Sequence, residues 1–86
     1  MFYTYILKSK KDDELYIGST NDLKRRIREH TAGSSHATSW RGPFRLVYYE
    51  AYTNEKDARS REYSLKRRGN ARAALLKRIQ RSVASV

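Results

Sequence analysis

Five side chains along this sequence are of the types that hydrolysis of a phosphodiester bond requires. Tyr5 and Tyr16 lie in two short stretches rich in aromatic and β-branched residues, Arg26 and His30 follow four residues apart, and Glu62 comes much later. Hydrolysis needs a base that activates water, a cation that offsets charge growing at phosphorus, a metal that polarises the phosphate and a donor for the leaving oxygen. Phenols, a guanidinium, an imidazole and a carboxylate supply candidates for these roles.

Two predicted strands must position the tyrosines. Residues 2–8 and 14–18 have strand composition, and the charged stretch between them suits a hairpin loop, so the two strands should pair antiparallel. A loop centred on residues 10–11 would set Tyr5 opposite Tyr16 on one face. We therefore expect two phenols side by side.

A predicted helix positions the arginine and the histidine. Thr20, Asn21 or Asp22 can cap this helix, and Gly33 ends it. Its inward stripe has helical spacing and consists of Leu23, Arg26, Ile27 and His30. Both polar residues should therefore reach the sheet.

The remaining elements complete the order β-β-α-β-α-α of an α+β fold. Residues 44–52 predict a third strand, and Thr53 or Asn54 can cap a second helix. Gly69 separates this helix from a last helix of about ten residues, and residues 83–86 should fray.

Glu62 is the acidic residue that helical periodicity turns inward, together with Ala58 and Leu65. An unpaired carboxylate there costs several kcal/mol, so a cation should face it. That cation could be Arg26 or a lysine in a structural ion pair, or a metal. Taken singly, His30 also suits a satisfied core histidine.

The supply of acids limits the mechanism. Of nine acidic residues only Glu62 is predicted to point inward, which is too few for a two-metal nuclease but leaves a one-metal mechanism. The sequence has no phosphate-cradling glycine loop and no Ser-His-Asp arrangement. Without cysteine it has no disulfide and no thiolate metal site, which argues against zinc and favours a reducing cytoplasm.

The charge of the chain predicts a polyanionic partner. Its 86 residues carry 19 Lys and Arg against 9 Asp and Glu, a formal charge of +10. Nine basic residues fall within 59–81, where Glu62 is the one acid. Nucleic acid is the favoured partner, with a solubilising helix face and an anionic membrane surface as alternatives. The length suits one small soluble domain, and no apolar run reaches membrane-spanning length.

The order of these motifs resembles the GIY-YIG nuclease family. Residues 3–5 (Tyr-Thr-Tyr) stand where the family has its first motif, and residues 16–18 (Tyr-Ile-Gly) match the second. The helix with Arg26 and His30, the third strand and the helix with Glu62 follow in the family's order. The chain is similar to small single-domain bacterial members and to the nuclease half of the excision-repair incision subunit.

The resemblance implies a three-stranded antiparallel sheet flanked by helices, with a nuclease-like domain over residues 1–82 that cuts DNA using one Mg²⁺ or Mn²⁺ ion. By position Tyr5 and Tyr16 are the motif tyrosines, and either could be the base. Arg26 steadies the phosphate, His30 is its polar partner and Glu62 binds the metal. Asn70 is a further candidate for the site, or simply a helix cap.

Other residues are candidates for contacts with nucleic acid. Basic candidates are Lys24, Arg41, Lys66, Arg67 and Arg68, and Trp40 could stack on a base or pack over the core. Two hypotheses follow: a metal-dependent, structure-selective DNA endonuclease acting in repair, or a binding module that keeps the fold without cutting. A second copy or a partner protein could supply specificity.

Overall fold

A three-stranded antiparallel sheet with helices on both faces forms the fold, as predicted. The computed structural model describes residues 1–32 and 42–84. Its elements are β1 (Phe2–Ser9), β2 (Leu15–Thr20), α1 (Leu23–Thr31), β3 (Phe44–Tyr52), α2 (Glu55–Lys66), α3 (Asn70–Arg78) and α4 (Gln80–Ala84). The strand order is β2-β1-β3, so β2 and β3 lie at the two edges.

The predicted register of the hairpin is wrong by two residues. Tyr5 pairs with Gly18, and Tyr16 pairs with Leu7. The cause is the loop, where the side chain of Ser9 accepts hydrogen bonds from the backbone N–H groups of the two residues that follow Lys10. These bonds draw Asp13 into the turn with a φ of 61° and move the centre of the loop towards β2.

The alternation of β1 divides the core into two halves. Tyr5 and Leu7 face α1, where Leu23 and Ile27 pack against them. The intervening Ile6 faces Leu65 of α2 and Leu75 of α3. A register shift in the β1–β3 pairing between Ile6 and Leu7 turns Phe44 and Leu46 towards the α1 half.

Side-chain caps set the starts of α1 and α2. Asp22 accepts a hydrogen bond from the backbone N–H of Arg25 at the start of α1, and Asn54 accepts one from that of Lys56 at the start of α2. Helix α1 ends at Thr31 with Ala32 as its C-cap, before the predicted Gly33. Residues 33–41, which include Trp40 and Arg41, lie outside the described residues.

The end of the chain differs from the single final helix that we predicted. Ile79 interrupts it, so that α4 follows α3 as a separate element. Val83 and Ala84 belong to α4, and the backbone carbonyl of Val83 accepts hydrogen bonds from Lys8 and Arg45. Within the described residues, no helix has the length and apolar character needed to cross a membrane.

Candidate active site

A pocket of about 410 Å³ wraps around the open edge of β2. Consecutive β2 residues line it with both faces of the strand, which brings side chains from the two sides of the sheet into one site. Its lining consists of Tyr5, Leu15, Tyr16, Ile17, Gly18, Ser19, Arg26, His30, Glu62, Lys66 and Arg72. All five residues predicted for catalysis and metal binding are therefore in one pocket.

Gly18 leaves the space that the Tyr5 ring occupies. The ring lies so close over the glycine that a Cβ atom there would come within 2.6 Å of Tyr5 Cζ, closer than van der Waals contact allows. The ring could retreat only at the expense of its core packing, because Tyr5 is buried. The glycine of the Tyr-Ile-Gly motif is therefore a packing requirement of the phenol across the strand pair.

A phenol–imidazole hydrogen bond connects β1 to α1. Tyr5 Oη lies 3.0 Å from His30 Nε2, and His30 is buried. Burial lowers the pKa of His30, and the positive charge of Arg26 lowers it further, so the imidazole is neutral at pH 7. Burial likewise raises the pKa of the Tyr5 phenol, although interaction with Arg26 opposes this. The pair holds a neutral base beside a protonated phenol.

Arg26 reaches the pocket from the second turn of α1. Its Nη1 donates a hydrogen bond to Glu29 Oε1 at 3.0 Å, and this bond, with a smaller contribution from Tyr5, raises the pKa of the guanidinium. Arg26 therefore stays cationic and neighbours the phenol. The prediction that Arg26 and His30 both reach the sheet is confirmed.

Tyr16 shares the face of Tyr5 but is not directly opposite it. Because Tyr16 pairs with Leu7, the two tyrosines are related diagonally across β1 and β2. The Tyr16 ring packs edge-on against Phe44, with 5.2 Å between ring centroids. Both phenols line the pocket, and it is Tyr5 that bonds the buried imidazole.

Glu62 enters the pocket from α2, on the other side of the sheet. Its Oε1 accepts a hydrogen bond from Ser19 Oγ at 2.7 Å, and its Oε2 lies 2.7 Å from Lys66 Nζ. The carboxylate is partly solvent-accessible at the pocket rim, whereas Ala58 and Leu65 on the same helix are fully buried. Of the predicted cation partners, Lys66, one helical turn away, forms the ion pair with Glu62, whereas Arg26 pairs with Glu29.

The donor set suits a weakly held, hard divalent cation. Within residues 1–32 and 42–84, no group of three or more His, Cys, Asp or Glu residues could hold a metal ion. A single accessible carboxylate fits Mg²⁺ or Mn²⁺, which keep several waters and bind through one or two carboxylates and substrate phosphates. It does not fit a metal that needs a full cage of protein ligands.

Several predicted binding residues lie outside the pocket lining. Asn70 is the exposed first residue of α3, and Lys24 lines a different pocket with Tyr3 and Tyr49. Arg67 lies over the ring of the exposed Tyr63, with 5.7 Å from Cζ to the ring centroid. Arg68 is exposed in the turn that follows α2. Of the basic candidates in the described residues, Lys66 is the one that lines the pocket.

Sequence reasoning missed two polar residues of the pocket. Ser19 follows Gly18 and faces the other side of the sheet, which the alternation of β2 could have indicated. Arg72 comes from α3 and donates a hydrogen bond to the backbone carbonyl of Leu65 at 3.3 Å. The path of the chain around Gly69 brings α3 to the pocket, and no periodicity in the sequence encodes that path.

A second inward carboxylate was also missed. Glu50 on β3 accepts hydrogen bonds from Tyr48, Tyr52 and Arg61. Burial alone would raise the pKa of Glu50, but these donors hold it below its ordinary value. The prediction that Glu62 alone points inward is therefore wrong.

Comparison with known proteins defines the class of this domain. Over residues 1–76 the chain matches the family described as the GIY-YIG catalytic domain. The chain belongs to this family of nuclease domains. Membership indicates a domain that binds nucleic acid, and GIY-YIG nucleases generally use a divalent metal.

Similar proteins within this class include UPF0213 proteins. UPF0213 protein CPE1444 of Clostridium perfringens is 48% identical over 68 residues, which cover 78% of this chain and 72% of that protein. UPF0213 protein HQ_3675A of Haloquadratum walsbyi is 42% identical over 65 residues, covering 74% and 72%. The solution NMR structure of UPF0213 protein BH0048 from Bacillus halodurans matches with a TM-score of 0.56 and 37% identity, covering 92% of this chain and 85% of that one. These names state no activity.

Proposed function

We propose that this protein is a divalent-metal-dependent DNA endonuclease whose active site is the pocket at the edge of β2. One observation carries the proposal: a phenol bonded to a neutral imidazole, an arginine and an accessible carboxylate line the same pocket of a strongly basic domain. This combination supplies a base, a cation and a metal ligand around one space that a phosphate could enter.

Tyr5 and His30 form the path for the proton of the attacking water. The phenol is protonated at neutral pH, so it can accept a proton from water only as it gives its own away. A neutral His30 whose Nδ1 carries the ring proton can take the phenolic proton on Nε2, 3.0 Å away. We therefore assign Tyr5 as the group that contacts water and His30 as the final acceptor.

Three cations of the pocket bind the phosphate and offset its growing charge. Arg26 approaches from the α1 side of the sheet, and Lys66 and Arg72 approach from the α2 and α3 side. A phosphate at the β2 edge would therefore be held from both sides. The leaving oxygen takes its proton from solvent, which reaches the pocket at the exposed Lys66 side chain.

Glu62 would hold the metal, with Ser19 fixing the orientation of the carboxylate. When bound, a divalent metal polarises the phosphate and stabilises the leaving oxygen. This proposed role is supported by the partners of Glu62, since one of its oxygens is bonded to Ser19 and the other to an exposed lysine that a metal could replace.

Substrate choice follows from the basic surface beside the pocket. Arg67 and Arg68 continue from Lys66 at the end of α2, so the DNA backbone can pass along this end of the helix. Backbone contacts of this kind carry little sequence information. We therefore propose recognition of DNA structure, such as single-stranded or branched DNA in repair, with a second copy or a partner protein adding specificity.

The test is cleavage of end-labelled single-stranded, duplex and branched DNA with Mg²⁺ or Mn²⁺. Wild type is compared with Glu62→Gln and Arg26→Ala, and with Arg25→Ala as the matched control on the exposed side of α1. We expect cutting by wild type and Arg25→Ala only, with DNA binding retained in Glu62→Gln. Absence of metal-dependent cutting on every substrate, with binding intact, would instead indicate a binding module without catalysis.

A further inference from the structure

We infer that Lys66 competes with the metal for Glu62 and thereby couples metal binding to DNA binding. The inference rests on the proposed function for the location of the metal, and it goes further by assigning Lys66 two alternating partners. In one arrangement its ammonium neutralises Glu62. In the other, the metal does so and the ammonium binds a DNA phosphate.

The geometry around Glu62 places the Lys66 ammonium where it would meet a metal bound to the same carboxylate. Oε1 is bonded to Ser19 Oγ at 2.7 Å, and Oε2 is 2.7 Å from Lys66 Nζ. A Mg²⁺ ion sits about 2.1 Å from its carboxylate oxygens. A metal on Oε2 would therefore lie close to the ammonium, and the repulsion between the two cations would drive the lysine away.

Lys66 is able to leave. It is 57% exposed, whereas Glu62 is 21% exposed, so the lysine can swing on its flexible stem while the carboxylate stays in the pocket. Its new partner is close, because Lys66 and Arg72 line the same pocket and a phosphate bound there would be within reach. One cation thus takes the place of another without leaving Glu62 uncompensated.

Coupling follows by thermodynamic reciprocity. If DNA phosphate draws Lys66 away from Glu62, then DNA raises the affinity for the metal, and the metal raises the affinity for DNA by the same factor. This coupling matters most for a site with one carboxylate ligand, because that ligand alone binds the metal weakly. The metal is held firmly only when a phosphate is present to share it, so the site assembles on its substrate.

The experiment measures binding in the absence of cutting. Mn²⁺ binding to the DNA-free protein is followed by electron paramagnetic resonance up to millimolar Mn²⁺, and binding of a labelled single-stranded oligonucleotide is followed by anisotropy in EDTA and in Ca²⁺. The variant is Lys66→Met. Its matched control is Lys56→Met, which removes the same charge from an exposed position ten residues earlier on α2, about 15 Å away along the axis.

We expect Lys66→Met to bind Mn²⁺ about two- to fivefold more tightly than Lys56→Met, because an exposed ion pair contributes on this order. We also expect Ca²⁺ to raise DNA affinity less in Lys66→Met than in wild type. Identical behaviour of the two lysine variants in both assays would overturn the inference. So would the absence of Mn²⁺ binding, or Mn²⁺ binding that Glu62→Gln leaves unchanged.

Failure of this inference is separable from failure of the proposed function. Equal binding by the two lysine variants, alongside metal-dependent cutting lost in Glu62→Gln, removes the competition and leaves the nuclease. The expected binding differences without cutting on any substrate support the competition at Glu62 and remove the catalytic role.

Discussion

Glu50 on β3 and Glu62 on α2 have similar burial but different surroundings. The side chain of Glu50 is 15% exposed and that of Glu62 is 21% exposed. Glu50 is saturated: Arg61 Nε donates to both of its oxygens at 3.0 and 3.1 Å, Tyr48 donates at 2.6 Å and Tyr52 donates as well. Glu62 is bonded to a serine and to an exposed lysine.

The difference lies in what each carboxylate can still bind. Exchanging any partner of Glu50 for a metal or phosphate would break a charge-assisted network that joins β3 to α2. Exchanging Lys66 on Glu62 costs little, because the lysine is exposed and a metal replaces its charge. Burial alone therefore does not separate the two acids, and it is the replaceable partner of Glu62 in an open pocket that supports its proposed role as a metal ligand.

The largest expected difference in cleavage rate is between variants of two phenols, Tyr5 in the pocket and Tyr52 next to Glu50. Tyr5→Phe keeps the ring over Gly18 but removes the proton path, so we expect cleavage to fall about 10²- to 10⁴-fold. Tyr52→Phe removes a donor to Glu50, so the expected loss is about 1 kcal/mol of unfolding free energy with cleavage unchanged. Single-turnover rates and urea unfolding of both variants measure this contrast. Equal rates for Tyr5→Phe and wild type would exclude Tyr5 from the chemistry.

Removing the cation next to each glutamate should lower the free energy of unfolding by different amounts. Arg61→Met leaves Glu50 without its main counter-charge, and we expect a loss of about 2 kcal/mol. Lys66→Met removes an exposed partner, so its expected cost is below about 0.5 kcal/mol. Denaturant unfolding at pH 7 compares the two. If Lys66→Met proved as destabilising as Arg61→Met, Glu62 would belong with the structural network.

Gly18→Ala tests whether the packing of Tyr5 matters for the site. The added methyl group would clash with the Tyr5 ring, so ring or strand must shift, at a cost of about 1–3 kcal/mol. Displacing the phenol from His30 should also lower cleavage about tenfold or more. The control is Gly69→Ala, since a Cβ there meets nothing within 4 Å. Wild-type rates in Gly18→Ala would show that the position of the phenol is not critical.

The pH profile of cleavage gives the smallest expected effect. His30 must be neutral to accept the phenolic proton, and its pKa lies below its ordinary value because of burial and Arg26, with Glu29 opposing. Activity should therefore be constant through neutral pH and fall about tenfold per unit only below the His30 pKa, on the acid side of about 6.5. His30→Gln should have a low rate without this acid limb. If the acid limb persisted in His30→Gln, the titrating group would be a residue other than His30.

The sequence allowed prediction of what depends on local chemistry. Asp22 and Asn54 were both among the predicted caps because a cap needs only its own side chain and the next turn. The spacing of Arg26 and His30 predicted their shared direction, because a helix repeats every 3.6 residues. Likewise the placement of Glu62 at the site followed from its spacing from Ala58 and Leu65 and from the motif order.

Features that depend on distant contacts or on loop details could not be predicted in the same way. The hairpin register depended on hydrogen bonds to Ser9 inside the loop. Because of them, the pairing of Tyr5 and Tyr16 is shifted by two residues from the predicted one. Arg72 reached the pocket through the course of α3. Glu50 had a signal, since Tyr48, Glu50 and Tyr52 alternate along β3, but the aromatic residues on both faces of that strand obscured it.

The most direct test of the account is a paired measurement on Glu62→Gln and Glu50→Gln, recording for each the metal-dependent cleavage rate of the folded protein and the midpoint of thermal unfolding. We predict that Glu62→Gln loses cleavage by about 10³-fold and keeps its midpoint, since it loses a metal ligand but no core contact. Glu50→Gln should keep its rate and lose stability. Metal-dependent cleavage by Glu62→Gln at the wild-type rate would contradict the central claim that this carboxylate holds the catalytic metal.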